Sequence, residues 1–351
     1  MTEQPGGSLL DRTMTQPRVL VIDDSALART VLARLLRASG QIDVVGTEPD
    51  GGRALERIAA LDPDVVTLDL TMPALDGLAV LRALQGQARP RVIVVSTSTI
   101  ESELGAEALL LGAIDLIAKP AVLGPKRLHD IAEELVAKVL AAAAGYLESF
   151  PITVPTAPQR VPTSRVDLIM IGTSTGGPQA LTRLMAGLPA TLAAPIAIAL
   201  HIPADYTEAL ARRLDRASPL DVVEAKHGME LRPGLAILAR GGTHLRIERD
   251  RGVLRAVLDG LPTRPFTPSV DELFASGAAA VGPGALGVVL TGMGDDGLDG
   301  SRAIVAAGGS LLTQAASSCV VYGMPRCVDD AGLGATSISI EAMAREITNR
   351  V

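Results

Sequence analysis

The sequence predicts two doubly wound, parallel-sheet α/β domains joined by a proline-rich hinge. Short apolar runs alternate with stretches of helical period along almost the whole chain, which implies parallel strands with helices on both faces of each sheet. That alternation breaks once, where Pro151, Pro155, Pro158 and Pro162 crowd a stretch that neither a helix nor a central strand accepts. The length, 351 residues, suits about two domains with separate cores.

Residues 1–16 are polar and turn-rich and read as a disordered tail, with Met14 an alternative start. The first domain is expected over 17–140. Val19–Ile22 is a short apolar strand, and Ala26–Ala38 a helix with Leu27, Val31 and Leu35 on one face. Asp43–Gly46 is a weak strand and Gly51–Leu61 a helix. Val65–Leu68, Val92–Val95 and Leu116–Ile117 follow as strands, with helices Leu78–Leu84 and Leu104–Leu111 between them. A helix from about Lys126 carries Leu128, Ile131, Leu135, Val139 and Ala142 at helical spacing and finishes in Ala141–Ala144. Residues 141–164 are assigned as an extended linker. In the second domain, 165–351, strands are expected at Val166–Ile171, Ile196–Leu200, Val222–Glu224, Ala236–Ala239, Leu286–Leu290 and Ser310–Thr313, with a helix at Pro178–Met185 and a hairpin around Leu245–Leu258.

Composition narrows the function. Aromatic residues are 2% of the chain, so the cores must be built from Ala, Leu, Val and Ile. A net charge of −7 argues against a nucleic-acid or anionic-membrane footprint. No apolar run reaches the length of a membrane span and the first residues lack a signal-peptide core, so a cytoplasmic protein without membrane insertion is expected. Cys319 and Cys327 make neither a disulfide framework nor a metal quartet and read as buried small hydrophobes.

In the first domain, Asp23 and Asp24 follow the first strand and Asp69 follows Val65–Leu68. Ligands of open parallel sheets gather at such carboxyl ends, and three crowded carboxylates suit a hard cation such as Mg²⁺. Ser96 ends one strand and Lys119 follows another, a hydroxyl and an ammonium suited to an acyl phosphate on Asp69. Singly, each is bland: an Asp at a strand end is usually a cap or turn former.

In the second domain, Gly172-Thr173-Ser174-Thr175-Gly176-Gly177 lies where an apolar strand gives way to a helix. A serine on such a turn is held clear of its neighbours, beside free N–H groups that suit an oxyanion. The dinucleotide fingerprint needs glycine where Ser174 stands, and no Lys-Ser or Lys-Thr pair completes a phosphate loop. Among four histidines, His201 directly follows Ile196–Leu200 and is placed to take a proton from Ser174. His227 and His244 sit near glycines in expected turns, and His129 reads as a surface residue of the first domain's last helix. A buried carboxylate must orient the imidazole. Leu290-Thr291-Gly292-Met293-Gly294-Asp295-Asp296-Gly297 supplies Asp296, with Asp295 and Asp299 as solvated alternatives.

Val21-Ile22-Asp23-Asp24-Ser25, Leu68-Asp69-Leu70-Thr71-Met72-Pro73, Asp76-Gly77, Ser96 and Lys119-Pro120 resemble the response-regulator receiver domain, a flavodoxin-like fold. The resemblance implies that Asp69 accepts a phosphoryl group from a histidine kinase, with Mg²⁺ held by Asp23, Asp24 and Asp69 and phosphate sensed by Ser96 and Lys119. Leu116 stands where that family usually carries an aromatic switch residue. Residues 171–178, His201-Ile202-Pro203, Pro268-Ser269-Val270-Asp271, residues 290–297 and Val320–Arg326 resemble the chemotaxis protein-glutamate methylesterase family (CheB-type), a Rossmann-like three-layer esterase domain. The order receiver, linker, esterase is that family's layout. The resemblance implies Ser174 as nucleophile, His201 as base and acid, Asp296 as orienting carboxylate, and the backbone N–H of Met293, with help from Thr175, lining the oxyanion hole. It implies a methylated chemoreceptor cytoplasmic domain as substrate, no cofactor for the ester chemistry, deamidation of receptor glutamines, and autoinhibition by the unphosphorylated receiver. Thr267, Arg240, Ala315 and Ala316 depart from the family at places that touch substrate contacts rather than the triad. Two rivals are a phosphorylation-dependent adaptor, against which the retained Ser174, His201 and Asp296 argue, and a receiver-controlled transcription factor, for which no basic recognition helix is visible.

Overall fold

The computed structural model describes residues 16–73, 75–87, 89–97, 102–119, 125–144, 165–260 and 264–351, the side chains of 97 and 125–130 excepted. The expected tail and most of the expected linker lie outside the described residues. The first half opens with β1 (Arg18–Ile22), α1 (Ala26–Ala38), β2 (Asp43–Glu48), α2 (Gly51–Leu61) and β3 (Val65–Leu68). It continues with α3 (Gly77–Leu84), β4 (Arg91–Thr97), α4 (Ser102–Leu110), β5 (Asp115–Lys119) and α5 (Pro125–Ala144). The strands form one parallel sheet in the order β2-β1-β3-β4-β5. Both faces are covered, which is why the central strands are continuous apolar runs. Leu20, Ile22, Val66 and Leu68 pack into one layer, and Val19, Val21 and Val65 into the other with Leu135 and Val139 of α5. Helix starts follow local capping: Ser25, Asp50 and Asp76 each accept a first-turn N–H of the helix they precede.

The second half contains β6 (Leu168–Thr173), α6 (Gly177–Gly187), β7 (Ile196–Leu200), α7 (Thr207–Ala217), β8 (Asp221–Glu224) and β9 (Leu235–Leu238). Next come β10 (His244–Asp250), β11 (Val253–Asp259), α8 (Val270–Val281), β12 (Ala285–Val289) and α9 (Leu298–Ala306). The chain ends with β13 (Ser310–Gln314), α10 (Met324–Asp330), β14 (Thr336–Ile338) and α11 (Ile340–Arg350). Seven strands form a parallel sheet, β14-β13-β12-β6-β7-β9-β8, while β10 and β11 pair separately as an antiparallel ribbon. Among the described residues no helix is long and apolar enough to cross a membrane.

In each sheet the strand order reverses once in a way that matters. β1 has β2 on one side and β3 on the other; β6 has β7 on one side and β12 on the other. The loops leaving these strands therefore diverge and open a crevice at their carboxyl ends. Asp23 and Asp69 flank the first crevice, and Ser174 and the 290–297 loop flank the second.

Several expectations need correction. In α1 the buried residues are Leu32, Ala33 and Leu36, while Leu27 is 61% exposed. That helix carries two apolar stripes, and packing against β2 and α5 selects the other one. The strand expected at Val166–Ile171 lies two residues later because pairing with β7 and β12 extends over Gly172 and Thr173. His244 opens β10 opposite Asp259, fully buried, rather than sitting in a turn. Cys319 and Cys327 are half-buried rather than buried.

The two halves are in direct contact. Tyr206, in the tight helical turn Ala204–Tyr206 before α7, has no exposed surface and joins the first half's core beside Leu109 and Leu116. Gly105 permits this approach, since a Cβ there would lie 2.4 Å from Tyr206 Cε1 and 2.7 Å from Leu116 Cδ1. Arg213 adds a hydrogen bond to the Glu103 carbonyl at 3.0 Å and an ion pair to Glu107 at 3.2 Å.

Candidate active site

β6 ends at Thr173, and the turn Ser174–Gly176 carries the chain into α6. Gly176 adopts a left-handed φ of +79°, and a Cβ there would stand 2.6 Å from Val320 Cβ, so the turn requires glycine. The loop after β12 is stitched onto this turn. Ser174 N–H donates to the Thr291 carbonyl at 3.1 Å, and Thr291 Oγ1 donates to the Thr175 carbonyl at 3.0 Å. Gly292 lies so close that a Cβ would be 2.9 Å from Ser174 Cβ. Half-buried Met293 follows it, beside the serine turn.

The β6–β7 register sets Thr173 opposite Leu200, so Ser174 and His201 leave neighbouring parallel strands side by side. The His201 backbone N–H donates to the Thr173 carbonyl at 3.2 Å, holding them there. His201 Nε2 meets Asp296 Oδ2 at 2.7 Å. Its Nδ1, the ring nitrogen nearer the backbone, is buried without a hydrogen-bond partner among the described residues, and no hydrogen bond joins it to the Ser174 hydroxyl. Phe266 stacks on the imidazole, with ring centroids 4.4 Å apart and planes 12° from parallel.

Asp296 is buried, unlike the exposed Asp295 and Asp299. Its Oδ2 accepts the Val270 N–H at 2.7 Å, and its Oδ1 accepts the Ser269 hydroxyl at 2.9 Å and the Asp271 N–H at 3.0 Å. These donors form the start of α8, whose positive helix end favours a carboxylate. Burial would push the Asp296 carboxyl up, but His201 and the N–H groups of Val270 and Asp271 hold it below the usual carboxylate range. Asp271 reciprocates, accepting the N–H groups of Gly297 and Gly300 at 2.9 and 2.8 Å at the start of α9. Two helix N-termini are thus interlocked through two carboxylates. Burial pushes the Asp271 carboxyl up.

Ser269 and Asp271 had a legible local signal: Ser269 with Glu272 three residues later is a capping-box pattern at a helix start. Nothing local marks their bonds to Asp296. His244 supports this loop, its Nδ1 accepting the Ser269 N–H at 3.2 Å, whereas His227 lies elsewhere, accepting the Leu258 N–H at 3.3 Å. The side chain of His129 lies outside the described residues.

The first half closes over the serine turn. Thr175 Oγ1 donates to Asp115 Oδ2 at 2.6 Å, and the Gly176 N–H donates to the Ile114 carbonyl at 2.9 Å. Gln179 Nε2 donates to the carbonyls of Gly112 and Ala113 at 2.9 and 3.0 Å. Asp115 is balanced by Lys138 Nζ at 2.9 Å; burial would lower the Lys138 ammonium, but Asp115 and Glu134 raise it above the usual lysine range. Asp115, Lys138 and Gln179 carry no local signal for this contact, because no short motif reveals a bond between residues 60 positions apart.

At the first crevice, carboxylate oxygens of Asp23, Asp24 and Asp69 lie within 4.8 Å of one another. Lys119 Nζ bridges Asp23 and Asp69 at 2.7 Å each. Burial raises the Asp23 carboxyl, and although burial also opposes the Lys119 ammonium, Asp23 and Asp69 raise it overall. Three carboxylates against one ammonium leave an excess of negative charge, and an all-oxygen donor set suits a divalent hard cation. The Ser96 hydroxyl is buried beside this site without a partner among the described residues.

Comparison with known proteins identifies the family of each half. A family model described as CheB methylesterase matches residues 169–347, and one described as response regulator receiver domain matches residues 19–133. The chain is 52% identical over 339 residues to the protein-glutamate methylesterase/protein-glutamine glutaminase 5 of Myxococcus xanthus (strain DK1622), covering 94% of this chain and 97% of the relative. It is 40% identical over 351 residues to a protein-glutamate methylesterase/protein-glutamine glutaminase of Nocardioides sp. (strain ATCC BAA-499 / JS614), covering 95% of each. The crystal structure of the Thermotoga maritima CheB methylesterase catalytic domain aligns with a TM-score of 0.52 at 32% identity, covering 54% of this chain and all of that one.

The hydrogen bonds at Asp296 make a stability prediction. Asp296→Ala strands three buried donors at about 1–3 kcal/mol each, so denaturant unfolding should show a loss of at least about 3 kcal/mol. A loss below about 1 kcal/mol would contradict the bonding described. Because the Asp296 carboxyl lies below its ordinary value, its stabilisation is complete above about pH 4 and is lost as pH falls through the folded value.

Proposed function

The chain belongs to the CheB methylesterase family, and we propose that it hydrolyses glutamate γ-methyl esters on chemoreceptor cytoplasmic domains through Ser174, His201 and Asp296, under control of phosphorylation at Asp69. One observation carries the chemistry: an imidazole whose Nε2 is held by a firmly bonded carboxylate keeps Nδ1 buried and unpartnered, one strand from Ser174. In this reading Ser174 Oγ attacks the ester carbonyl carbon while His201 Nδ1 takes the hydroxyl proton. The backbone N–H groups of Met293 and Thr175 receive the developing oxyanion, aided by the positive end of α6. His201 returns the proton to the departing oxygen, releasing methanol and leaving an acyl group on Ser174. Water, deprotonated by the same nitrogen, then attacks the acyl carbon, and His201 returns that proton to Ser174 Oγ as the acyl bond breaks and the glutamate leaves. A glutamine amide follows the same route with ammonia as leaving group. Asp296 keeps the ring in one tautomer and stabilises its cationic form.

For regulation, a histidine kinase is the proposed phosphodonor, and Asp23, Asp24 and Asp69 would hold Mg²⁺. That ion would neutralise phosphoryl oxygens on Asp69. Lys119 and Ser96 would meet those oxygens. Lys119 and Asp115 are the two ends of β5, so a change at Asp69 reaches the bond between Asp115 and Thr175 along one five-residue strand. Leu116, in place of an aromatic switch residue, packs beside Tyr206 of the catalytic half. The unphosphorylated receiver thereby restrains the oxyanion turn and blocks entry to it. The site of action is the cytoplasm.

Methanol release from methylated receptor fragments tests the chemistry. Ser174→Ala and His201→Ala should abolish release without unfolding the protein, and normal turnover by either would overturn the assignment. Control is read separately. Gln179→Ala, which removes two bonds between the halves at about 0.5–1.5 kcal/mol each, should raise the rate without phosphodonor about fivefold or more and leave the stimulated rate unchanged. Asp69→Asn should keep basal hydrolysis but lose stimulation by a small-molecule phosphodonor.

A further inference from the structure

We propose that Phe266 is a positioning residue for this reaction, fixing the plane of the His201 ring so that Nδ1 stays turned to Ser174. The proposal rests on the Ser174–His201 reading above and adds to it a residue outside the triad. The ring of Phe266 lies 4.4 Å from that of His201 and within 12° of parallel, an aromatic stack rather than an edge contact. A single hydrogen bond from Nε2 to Asp296 is a pivot about which an imidazole still rocks. A flat ring laid against its face removes that freedom.

Phe266 is not a core residue. The chain has three phenylalanines and no tryptophan. Phe274 is fully buried in the core, whereas Phe266 is 39% exposed, with no other large aromatic so exposed among the described residues. It leaves surface in water and spends its contact on a ring whose side chain is only 11% exposed. Its backbone is anchored by the same loop that anchors Asp296. Phe266 lies three residues before Ser269, which donates to Asp296, and the carbonyl of the intervening Thr267 accepts the Gly242 N–H at 3.2 Å. One loop thus sets both the carboxylate that holds the edge of the imidazole and the aromatic that holds its face. Small misplacements of a catalytic group cost up to about a hundredfold in rate, so a ring free to rock should slow the acylation step while leaving substrate binding alone.

The test uses the full-length protein with phosphodonor, assayed by methanol release from methylated receptor fragments, for Phe266→Ala, Phe266→Leu and Phe266→Tyr. Expected is a fall in kcat of about tenfold or more for Ala and Leu, KM within about twofold of the parent, and recovery by Tyr, with thermal unfolding unchanged in all three. The upfield-shifted His201 ring protons expected in proton NMR should return toward ordinary positions in Phe266→Leu. Unchanged kcat in Ala or Leu, failure of Tyr to recover activity, or a rise in KM alone would overturn the proposal, the last marking Phe266 as a substrate wall instead. Ser174→Ala run alongside separates the two readings. Hydrolysis by that variant would sink the serine mechanism, whereas its inactivity beside a fully active Phe266→Ala would sink only the role of Phe266.

Discussion

The catalytic half is organised around one buried carboxylate. Asp296 accepts three hydrogen bonds from the start of α8 and a fourth contact from His201, and Asp271 answers by closing the start of α9. A charge this buried is tolerable only where donors surround it. Meeting that condition draws together a loop after β12, a helix start and the histidine that directly follows β7. The orientation of the imidazole and the joining of the starts of α8 and α9 both answer that one electrostatic requirement.

The contact between the halves follows different physics. Apolar contacts cross it at Tyr206 and Ile202, at Val320 and at Ala106, and beside them runs a set of hydrogen bonds and ion pairs: Thr175 to Asp115, Gly176 to Ile114, Gln179 to two carbonyls, and Arg213 to Glu103 and Glu107. Such groups find water as an alternative partner when separated, so the net cost of opening is modest compared with splitting an apolar core. A surface of this kind suits a joint that a single added phosphoryl group is able to shift. The carboxylate of Asp115 is the exception, buried with Lys138, and it belongs to the receiver whether or not the halves touch.

The alternation of strands and helices was legible because burial on both sheet faces leaves continuous apolar runs, as in Ile196–Leu200 and Val19–Ile22. The choice of face in α1 was not, since Leu27 and Leu36 both lie on plausible stripes and only the neighbours of the folded helix decide between them. The three-residue β14 carries too few positions for any period to register. His244 looked like a turn residue beside Gly241 and Gly242, yet pairing with β11 draws it into a strand and burial follows.

The sequence by itself determined the two sheets, their order along the chain, and the residue types at the carboxyl ends of the strands: Asp23, Asp24 and Asp69 in one half, Ser174, His201 and Asp296 in the other. These follow from local periodicity and from glycine-rich turns, both written in neighbouring residues. The tertiary structure alone decided that Asp296 rests on Ser269, Val270 and Asp271, that Phe266 covers His201, and that Asp115 reaches Thr175. Each of those contacts joins segments with no shared period or motif. They exist because chain crossovers carry distant loops to one crevice, where buried polar groups must find partners within reach.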